Sequence, residues 1–501
     1  MKGNDQMDKT SVHNARKMFH LAGFIVCMTL LYNGILPVFK DKSTEAVSKE
    51  YRDFERGTFD VILLGSSVMM NDVYPLQLYD EYGISAYNLG SGNQRLPMTY
   101  YLVEETLKEQ DPKLVVIDVL TCWDNNAMCS DGITHFVTDA MRFPEKAELI
   151  FDIIPREKQM DFFFEMGTYH TRWESLSQKD FEKAPAGRLG TYGAKVWYGG
   201  KPIETLGEIT TQKEELPEIP EKYLRETIEL CQENNTEVLL TLMPINYSGT
   251  ADRIRWQGYW NKIQDIADEY DINYLNFMYR YDEVGIDITC DLDDMDGGLH
   301  LNAHGAEKLT AYLGRYITEN YELEDVREDP SYDFMREDLE TFQGYKTELA
   351  LKSTTSLSDY LDLLTNYRSD RYTIFVSVKD IQGYALTQDV IEKMINLGYK
   401  GGGILLDKQY HSFIGVIHGA KVVEMYGDDE ALFYDGEINK RKFYLSSRTL
   451  EHGNLSEIKI GAKDYSQNRR GLNFVLYDNQ AEKVIDAVSF DTHVPEFTCI
   501  R

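Results

Sequence analysis

Cysteine is scarce in this sequence, and positive charge is outnumbered by negative charge. The 501 residues include 6 Cys, which is too few for a disulfide scaffold and shows no C-x-x-C zinc spacing. Only Cys122 and Cys129, seven positions apart, stand out as a pairing to consider. Lys and Arg total 52 against 83 Asp and Glu, a net charge of −31. A surface this negative argues against a nucleic-acid binder and against a protein lying flat on anionic lipid.

Low-complexity tracts and internal repeats are also absent from the sequence. Hydrophobic residues make up 43% of the chain and aromatic residues 12%, so the composition excludes a disordered protein. At roughly 100–200 residues per domain, the length predicts two or three folded units.

The sequence has only one long apolar run, at 19–39, and it contains no Asp, Glu, Lys or Arg. At about 1.5 Å per residue this run reaches about 30 Å, the thickness of a bilayer core. Arg16 and Lys17 precede it, so we predict a cytoplasmic tail at 1–18 and a single transmembrane anchor. Everything beyond the anchor is then extracytoplasmic, at the cell membrane. A cleaved signal peptide is the alternative, because 46–48 loosely resembles a cleavage site. A buried core helix fits less well, because the run has no polar face.

Short apolar runs alternate with amphipathic stretches from Phe59 onward. The runs lie at 60–65, 85–90, 113–119, 237–243 and 272–277, and the predicted helices at 98–110, 221–235, 253–270 and 303–317. This alternation predicts an α/β domain over 59–320, a doubly wound parallel sheet with strands buried on both faces. The stretch 121–220 breaks the rhythm, and we interpret it as an insertion that serves as a lid over the sheet edge.

A charged run follows the last predicted helix and indicates a linker over 321–369, with a short helix at 356–366 capped by Ser356 or Ser358. The remainder, 370–496, is rich in alternating apolar strands and turn residues. We predict a second, mainly β domain there.

Three loops at the carboxyl ends of predicted strands carry residues suited to acyl transfer. Ser67 follows the first strand, where doubly wound sheets bind ligands. His300 precedes the last helix of the domain, next to an acidic run. In a nucleophilic mechanism His300 takes the proton of Ser67, and Asp296 holds the imidazole in the useful tautomer. Asp293 or Asp294 are alternatives to Asp296 as the acid.

The second strand ends in a loop of small residues that provides candidate oxyanion and substrate contacts at Gly90, Gly92 and Asn93. Within the insertion, Arg172 stands among aromatic residues, a combination suited to a sugar ring or an acyl oxyanion. Core packing with a surface Arg explains that cluster equally well. His300 and His304 are spaced as a helical metal pair, but no Glu accompanies them as metalloprotease chemistry requires, so we expect no metal site.

These motifs resemble those of the SGNH (GDSL-like) hydrolases. Gly65-Ser66-Ser67 stands where the family has Gly-Asp-Ser, 88–92 resembles its second block, and 296–302 resembles its closing block. The resemblance implies a flavodoxin-like three-layer fold, the Ser67 nucleophile and no cofactor. It is closest to the membrane-tethered proteins of alginate O-acetylation and teichoic acid D-alanylation. The family block that supplies an oxyanion Asn is not visible here.

The C-terminal segment 468–492 reads as a closing hairpin and resembles the interleukin-like EMT inducer/PANDER domain. That resemblance implies a compact β-sandwich-like unit over about 370–496, found beside carbohydrate-processing domains. A role in holding glycan and a role as an inert spacer both fit.

The sequence therefore predicts an extracytoplasmic serine esterase or O-acyltransferase that acts on a surface polysaccharide or wall polymer. Transfer implies a multispanning membrane acyl donor as partner, because this chain has no donor-binding machinery of its own. The alternative is a surface glycan-binding protein with a vestigial triad.

Overall fold

The structure, a computed structural model, describes most of the chain. The described residues are 4–40, 50–139, 141–182, 209–246, 251–293, 300–380, 386–401, 411–494 and 499–501. The chain divides into two compact units, Met1–Glu340 and Thr341–Arg501.

The first unit begins with the long helix α1, Asn4–Phe39. Its part Lys17–Phe39 is long and apolar enough to cross a membrane, with a mean hydropathy of 1.9 and 6% of its most apolar stretch buried. A signal sequence near the N-terminus meets the same criteria of length and composition, so these criteria do not distinguish it from an anchor. No second helix of this kind occurs among the residues that the structure describes.

The core of the first unit is a five-stranded parallel sheet. Its strands are β1 (Val61–Leu64), β2 (Ala86–Asn88), β3 (Leu114–Asp118), β4 (Glu237–Leu242) and β5 (Asn273–Asn276). The spatial order is β2-β1-β3-β4-β5, the order of flavodoxin-like doubly wound sheets. Every residue of β1 and β3 is buried, as expected for strands covered on both faces. The predicted α/β fold is confirmed.

Helices and one short hairpin complete this unit. The helices are α2 (Ser67–Asp72), α3 (Pro75–Tyr82), α4 (Leu96–Glu109), α5 (Asp131–Thr138), α6 (Glu145–Ile153), α7 (Gln159–Phe163), α8 (Met166–Tyr169), α9 (Glu218–Glu233), α10 (Ala251–Tyr270), α11 (Tyr281–Val284) and α12 (Ala303–Asn320). The hairpin strands are β6 (Leu292–Asp293) and β7 (His300–Leu301), which pair antiparallel. The four predicted helices correspond to α4, α9, α10 and α12.

The predicted insertion opens with a 3-10 turn, Leu120–Trp123, and contains α5 to α8. Its first residues, Thr121 and Trp123, line the cavity beside Ser67. Farther along, Glu165 and Arg172 contact the C-terminal end of α1. Within the described part of the insertion, only these first residues line the cavity, and the lid stays a prediction.

The second unit is built on one ten-stranded sheet rather than on two packed sheets. The strands are β8 (Tyr372–Lys379), β9 (His411–His418), β10 (Lys421–Asp428), β11 (Leu432–Ile438), β12 (Arg441–Arg448), β13 (Leu455–Ile460), β14 (Lys463–Asp464), β15 (Gly471–Asp478), β16 (Lys483–Phe490) and β17 (Cys499–Ile500). All pairs are antiparallel except β8 with β12, and the sheet curls around a core on one face. Among the described residues, α14 (Leu357–Asn366) and α15 (Gln388–Leu397) accompany it, and α13 (Asp333–Ser353) runs across the boundary into this unit.

The boundaries of the second unit differ from those predicted. The segment 321–369 is not a solvated linker, because Leu357, Tyr360 and Leu361 of α14 are buried in the core on the other face of the sheet. Ser356 caps α14 by accepting the N–H of Asp359, one of the two predicted caps. The sequence of α14 shows a short amphipathic helix between charged segments. This pattern does not reveal that the apolar face packs on a sheet.

Candidate active site

The site is centred on Ser67, the first residue of α2 at the carboxyl end of β1. Its Oγ lies 2.8 Å from Nε2 of His300, although 233 positions separate the two residues. His300 is 8% exposed and Ser67 is half-buried. In the tautomer that carries its proton on Nδ1, Nε2 accepts the bond from the Ser67 hydroxyl, as a general base requires. The structure thus brings the predicted nucleophile and base together.

Gly65 lets the end of β1 approach β3. Its φ is +149°, a conformation that side chains rarely adopt, and a Cβ there would lie 2.5 Å from Cβ of Asp118. Any larger residue would push the two strand ends apart. The glycine therefore fixes the direction in which Ser66 and Ser67 leave the strand.

The two adjacent serines have different partners. The Ser66 hydroxyl donates to Oδ2 of Asp118 at 3.0 Å, while Ser67 faces His300. Asp118 ends β3 and is 1% exposed. Burial raises the pKa of Asp118 from 3.8 to about 7, and the bonds from Ser66 offset only part of that effect. The sequence reasoning missed Asp118, although an acid closing the apolar run at 113–119 was a visible signal.

His300 is positioned by a hairpin and by the start of α12. It pairs with Asp293 across β6 and β7. Asn302 caps α12, because its side chain accepts the N–H groups of His304 and Gly305, each at 3.1 Å. A Cβ on Gly305 would lie 2.8 Å from a backbone carbonyl oxygen. The His-Leu-Asn-x-x-Gly pattern is thus the predicted base followed by a helix cap and a close-packed turn.

The acid of the predicted triad, Asp296, lies outside the described residues, as does Asp294. The side chain of Asp293 is also outside them. Which of these three residues is the acid of the triad therefore stays a prediction. A further buried acid, Asp72 in α2, accepts the N–H of Leu301 at 3.2 Å and so links β7 to the helix that carries Ser67.

The small-residue loop after β2 is only partly available for an oxyanion. The Gly90 N–H donates to Oδ1 of Asn88 at 2.9 Å, so this predicted donor is engaged within the loop. Asn93 lines the cavity beside Ser67 and has a φ of +52°. Gly92 borders Ile133 of α5, whose Cδ1 would lie 3.1 Å from a Cβ. Of the three predicted oxyanion residues, Asn93 is the one that lines the cavity together with Ser67.

A cavity of about 390 Å³ opens beside the two serines. Its lining includes Ser66, Ser67, Asn93, Leu120, Thr121, Trp123, Ile245, Asn246, Trp256 and Trp260. The rings of Trp123 and Trp256 stack at 4.4 Å with 16° between their planes. The sequence reasoning missed both rings, because Trp256 lies in an amphipathic helix pattern where aromatic residues usually pack in the core.

Arg172 is not part of this cavity, contrary to one of the two interpretations offered above. Its guanidinium donates to the carbonyl oxygens of Phe39 at 2.6 Å and Lys40 at 2.7 Å, and to Asp180 at 2.5 Å. The residue therefore binds the carbonyl groups at the C-terminal end of α1.

No cluster of three or more metal-ligating side chains occurs among the described residues. His304 is exposed, whereas His300 is turned toward Ser67. All six cysteines are free, so Cys122 and Cys129 are not paired.

No family model and no curated protein matches the chain. Several solved structures are similar at low identity. A putative acylhydrolase from Bacteroides fragilis is 12% identical, with a TM-score of 0.28, and the match covers 56% of this chain and 98% of that chain. The esterase EstA from Pseudoalteromonas sp. is 14% identical, with a TM-score of 0.26 and coverage of 52% and 100%. A catalytic mutant of the acetylxylan esterase Axe2 from Geobacillus stearothermophilus is 14% identical, with a TM-score of 0.27 and coverage of 54% and 97%. At similarities this low, conclusions about chemistry rest on the contacts within this chain.

Proposed function

We propose that this protein is a membrane-anchored, extracytoplasmic serine enzyme that removes or transfers a small acyl group on a surface polysaccharide or wall polymer. The observation that carries the proposal is the 2.8 Å bond between Ser67 and His300 beside an open cavity. A serine whose hydroxyl meets an imidazole nitrogen at the carboxyl edge of a parallel sheet is arranged for acyl transfer.

In the proposed mechanism, Oγ of Ser67 attacks the ester carbonyl carbon while Nε2 of His300 takes the hydroxyl proton. The tetrahedral intermediate collapses, the C–O bond of the ester breaks, and the alcohol leaves with the proton held on His300. Water or a second hydroxyl then attacks the acyl-Ser67, and His300 again takes and returns the proton. Asp296, in the acidic run that precedes His300, is the proposed acid that orients the imidazole, with Asp293 and Asp294 as the alternatives.

The side-chain amide of Asn93 is the proposed oxyanion donor, together with the backbone N–H of Gly92. Gly90 would join them only if its N–H left Asn88, to which it donates at 2.9 Å. This engaged amide is the specific observation that favours the alternative function, a glycan-binding surface protein whose triad no longer turns over.

The cavity supports a substrate larger than an acetyl group. Its volume of about 390 Å³ accommodates a sugar ring as well as a small acyl chain. The stacked rings of Trp123 and Trp256 provide a flat apolar surface of the kind on which sugar rings pack. A glycan ester is thus the substrate class that the lining fits.

The α1 helix is proposed as a retained anchor. Tethering raises the effective concentration of an enzyme at membrane-associated polymer without adding affinity. Hydrolysis and transfer share one acyl-enzyme and differ in whether water or a sugar hydroxyl reaches it. Transfer would require a multispanning membrane acyl donor as partner.

The second unit, which resembles the PANDER domain in sequence, is proposed to hold glycan near the enzyme. Its closing strands β15 and β16 pair antiparallel, from Leu472 with Phe490 to Asp478 with Lys483 and with one bulge, and Arg470 forms an ion pair with Asp491 at 2.8 Å. These contacts give the residues of the PANDER-like segment 468–492 a role in stabilising the fold. The binding role is tested by comparing polymer binding of the full chain before and after loss of catalysis.

The test of the proposed function uses the full-length protein in detergent. Hydrolysis of 4-nitrophenyl acetate and release of acetate from acetylated wall polymer are measured for the native chain and for Ser67→Ala. Ser66→Ala is the matched control, because it removes a neighbouring hydroxyl that faces Asp118 instead of His300.

We expect Ser67→Ala to abolish both activities and labelling by a fluorophosphonate, while Ser66→Ala keeps the label. Equal rates for the native protein and Ser67→Ala would refute the enzymatic proposal. Polymer binding without labelling would leave the glycan-binding alternative.

A further inference from the structure

Exposed apolar side chains concentrate in one part of the insertion. Outside α1, the six most exposed large apolar side chains that the structure describes are Phe143, Phe151, Met160, Phe164, Trp173 and Phe181, at 58–68% exposure. They fall within 39 consecutive residues of a 501-residue chain. Scattered apolar residues are normal on a protein surface, but a concentration of this kind marks an interaction site.

Three of these side chains are next in sequence to residues that contact the end of α1 or its partners. Phe164 precedes Glu165, which forms an ion pair with Lys40 at 2.5 Å. Trp173 follows Arg172, which donates to the carbonyl oxygen of Phe39.

Phe181 follows Asp180, the carboxylate that pairs with Arg172 at 2.5 Å. The exposed aromatic residues are therefore held beside the point where α1 ends. We call Phe164, Trp173 and Phe181 the aromatic rim.

The insertion also reaches back along α1. The N–H of Met166 donates to the hydroxyl of Tyr32 at 3.3 Å. Tyr32 lies seven residues before Phe39, and at about 1.5 Å per residue this is about 10 Å inside the end of the apolar helix. A segment that lies beside α1 at this level is at the depth of the bilayer interface if α1 spans the membrane.

We propose that the aromatic rim inserts into the interfacial layer of the same bilayer that α1 spans, so that the first unit is seated on the membrane surface in a fixed orientation. This inference rests on the proposed retention of α1 as an anchor. Trp and Phe are suited to this layer, where rings meet both acyl chains and headgroups. This insertion of the aromatic rim, which we call the seat, gives the first unit a second membrane attachment beside the end of α1.

The seat depends on apolar burial and not on charge. The segment 141–182 carries 6 Lys and Arg against 9 Asp and Glu, so anionic headgroups do not attract it. This agrees with the net charge of −31 for the whole chain. Neutral lipid is therefore the partner to use in the test.

The experiment places the full-length protein in nanodiscs of neutral phosphatidylcholine at one protein per disc. The lipids carry a nitroxide near the headgroup, near the acyl terminus, or nowhere. The fluorescence of Trp173 is taken as the difference between the native chain and Trp173→Phe. We expect stronger quenching by the shallow nitroxide than by the deep one.

Two double variants sharpen this result. Replacement of Phe164 and Phe181 by Ser should reduce the quenching of Trp173 several-fold. Replacement of Phe433 and Leu450 by Ser, which removes exposed apolar groups of the second unit, should leave it unchanged.

A protein that integrates into the discs but shows no quenching of Trp173 overturns the seat and leaves the anchor and the enzymatic proposal intact. A protein that does not integrate overturns both the anchor and the seat. Esterase activity on a soluble ester in detergent is measured separately, because it does not depend on the rim.

Discussion

Replacing Asp118 by Asn should change how the stability of the first unit depends on pH. The carboxyl is buried and accepts a hydrogen bond from the hydroxyl of Ser66, and burial raises its pKa from 3.8 to about 7 in the folded protein. Between those two values the unfolded chain has lost the proton while the folded chain keeps it. The contribution of Asp118 to the free energy of unfolding therefore falls as pH rises from about 4 to 7, and the loss is complete above pH 7.

The size of this effect follows from the shift. A difference of about 3 pKa units at about 1.4 kcal/mol each gives about 4 kcal/mol of lost stability above pH 7. Asp118 is 1% exposed, so solvent screening does not reduce this value. Asn has no carboxyl to titrate, so the free energy of unfolding of Asp118→Asn relative to the native chain should rise by about 4 kcal/mol between pH 4 and pH 8. If the Asn amide changes the free energy of unfolding by an amount that does not depend on pH, that amount cancels between pH 4 and pH 8.

The measurement is urea unfolding of the full-length protein in detergent, followed by tryptophan fluorescence. All 5 Trp lie before position 341, so the signal reports the first unit. The slope of the unfolding free energy with urea should be the same in both proteins. A difference between them that does not vary with pH, or that falls as pH rises, would refute the assignment of a neutral Asp118 at low pH.

Three further predictions concern the site itself. His300→Ala should lower kcat on 4-nitrophenyl acetate by at least about 10³-fold and slow fluorophosphonate labelling in parallel, and a loss of less than about tenfold would point to another proton acceptor. Asn93→Gly should lower kcat by about 10²-fold to 10³-fold without strain, because glycine accepts the φ of +52°, and unchanged kcat would remove Asn93 from the oxyanion site. Gly65→Ala should lower the free energy of unfolding by about 3 kcal/mol, measured in urea, because its Cβ would lie 2.5 Å from that of Asp118; a neutral effect would show that the strands separate freely.

The sequence predicted the sheet and the meeting of Ser67 with His300, because parallel strands end at one edge and buried strands have a strong apolar pattern. It did not predict Asp118 or the stacked Trp123 and Trp256, because their roles depend on which strand and helix lie next to each other in space. The role predicted for Arg172 rests on composition alone, and two of its partners are backbone carbonyls more than 130 positions away. The local sequence pattern predicts the helices and strands. The contacts between helices and strands that are distant in the sequence are known only from the structure.

The linker prediction erred for a related reason. The apolar side of α14 is buried on a sheet that forms from strands later in the chain. Nothing in a window around 357–366 indicates that partner, so the local pattern of a helix with charged neighbours predicts a connection.

The separation of 233 positions between Ser67 and His300 has a consequence for the biogenesis of the proposed enzyme. If the chain crosses the membrane from its N-terminus, as proposed, Ser67 emerges long before His300. During that interval the Ser67 hydroxyl lacks the imidazole that is proposed to take its proton. Acyl chemistry would begin only when the last helix of the first unit has docked, so that an incomplete or truncated product is chemically silent.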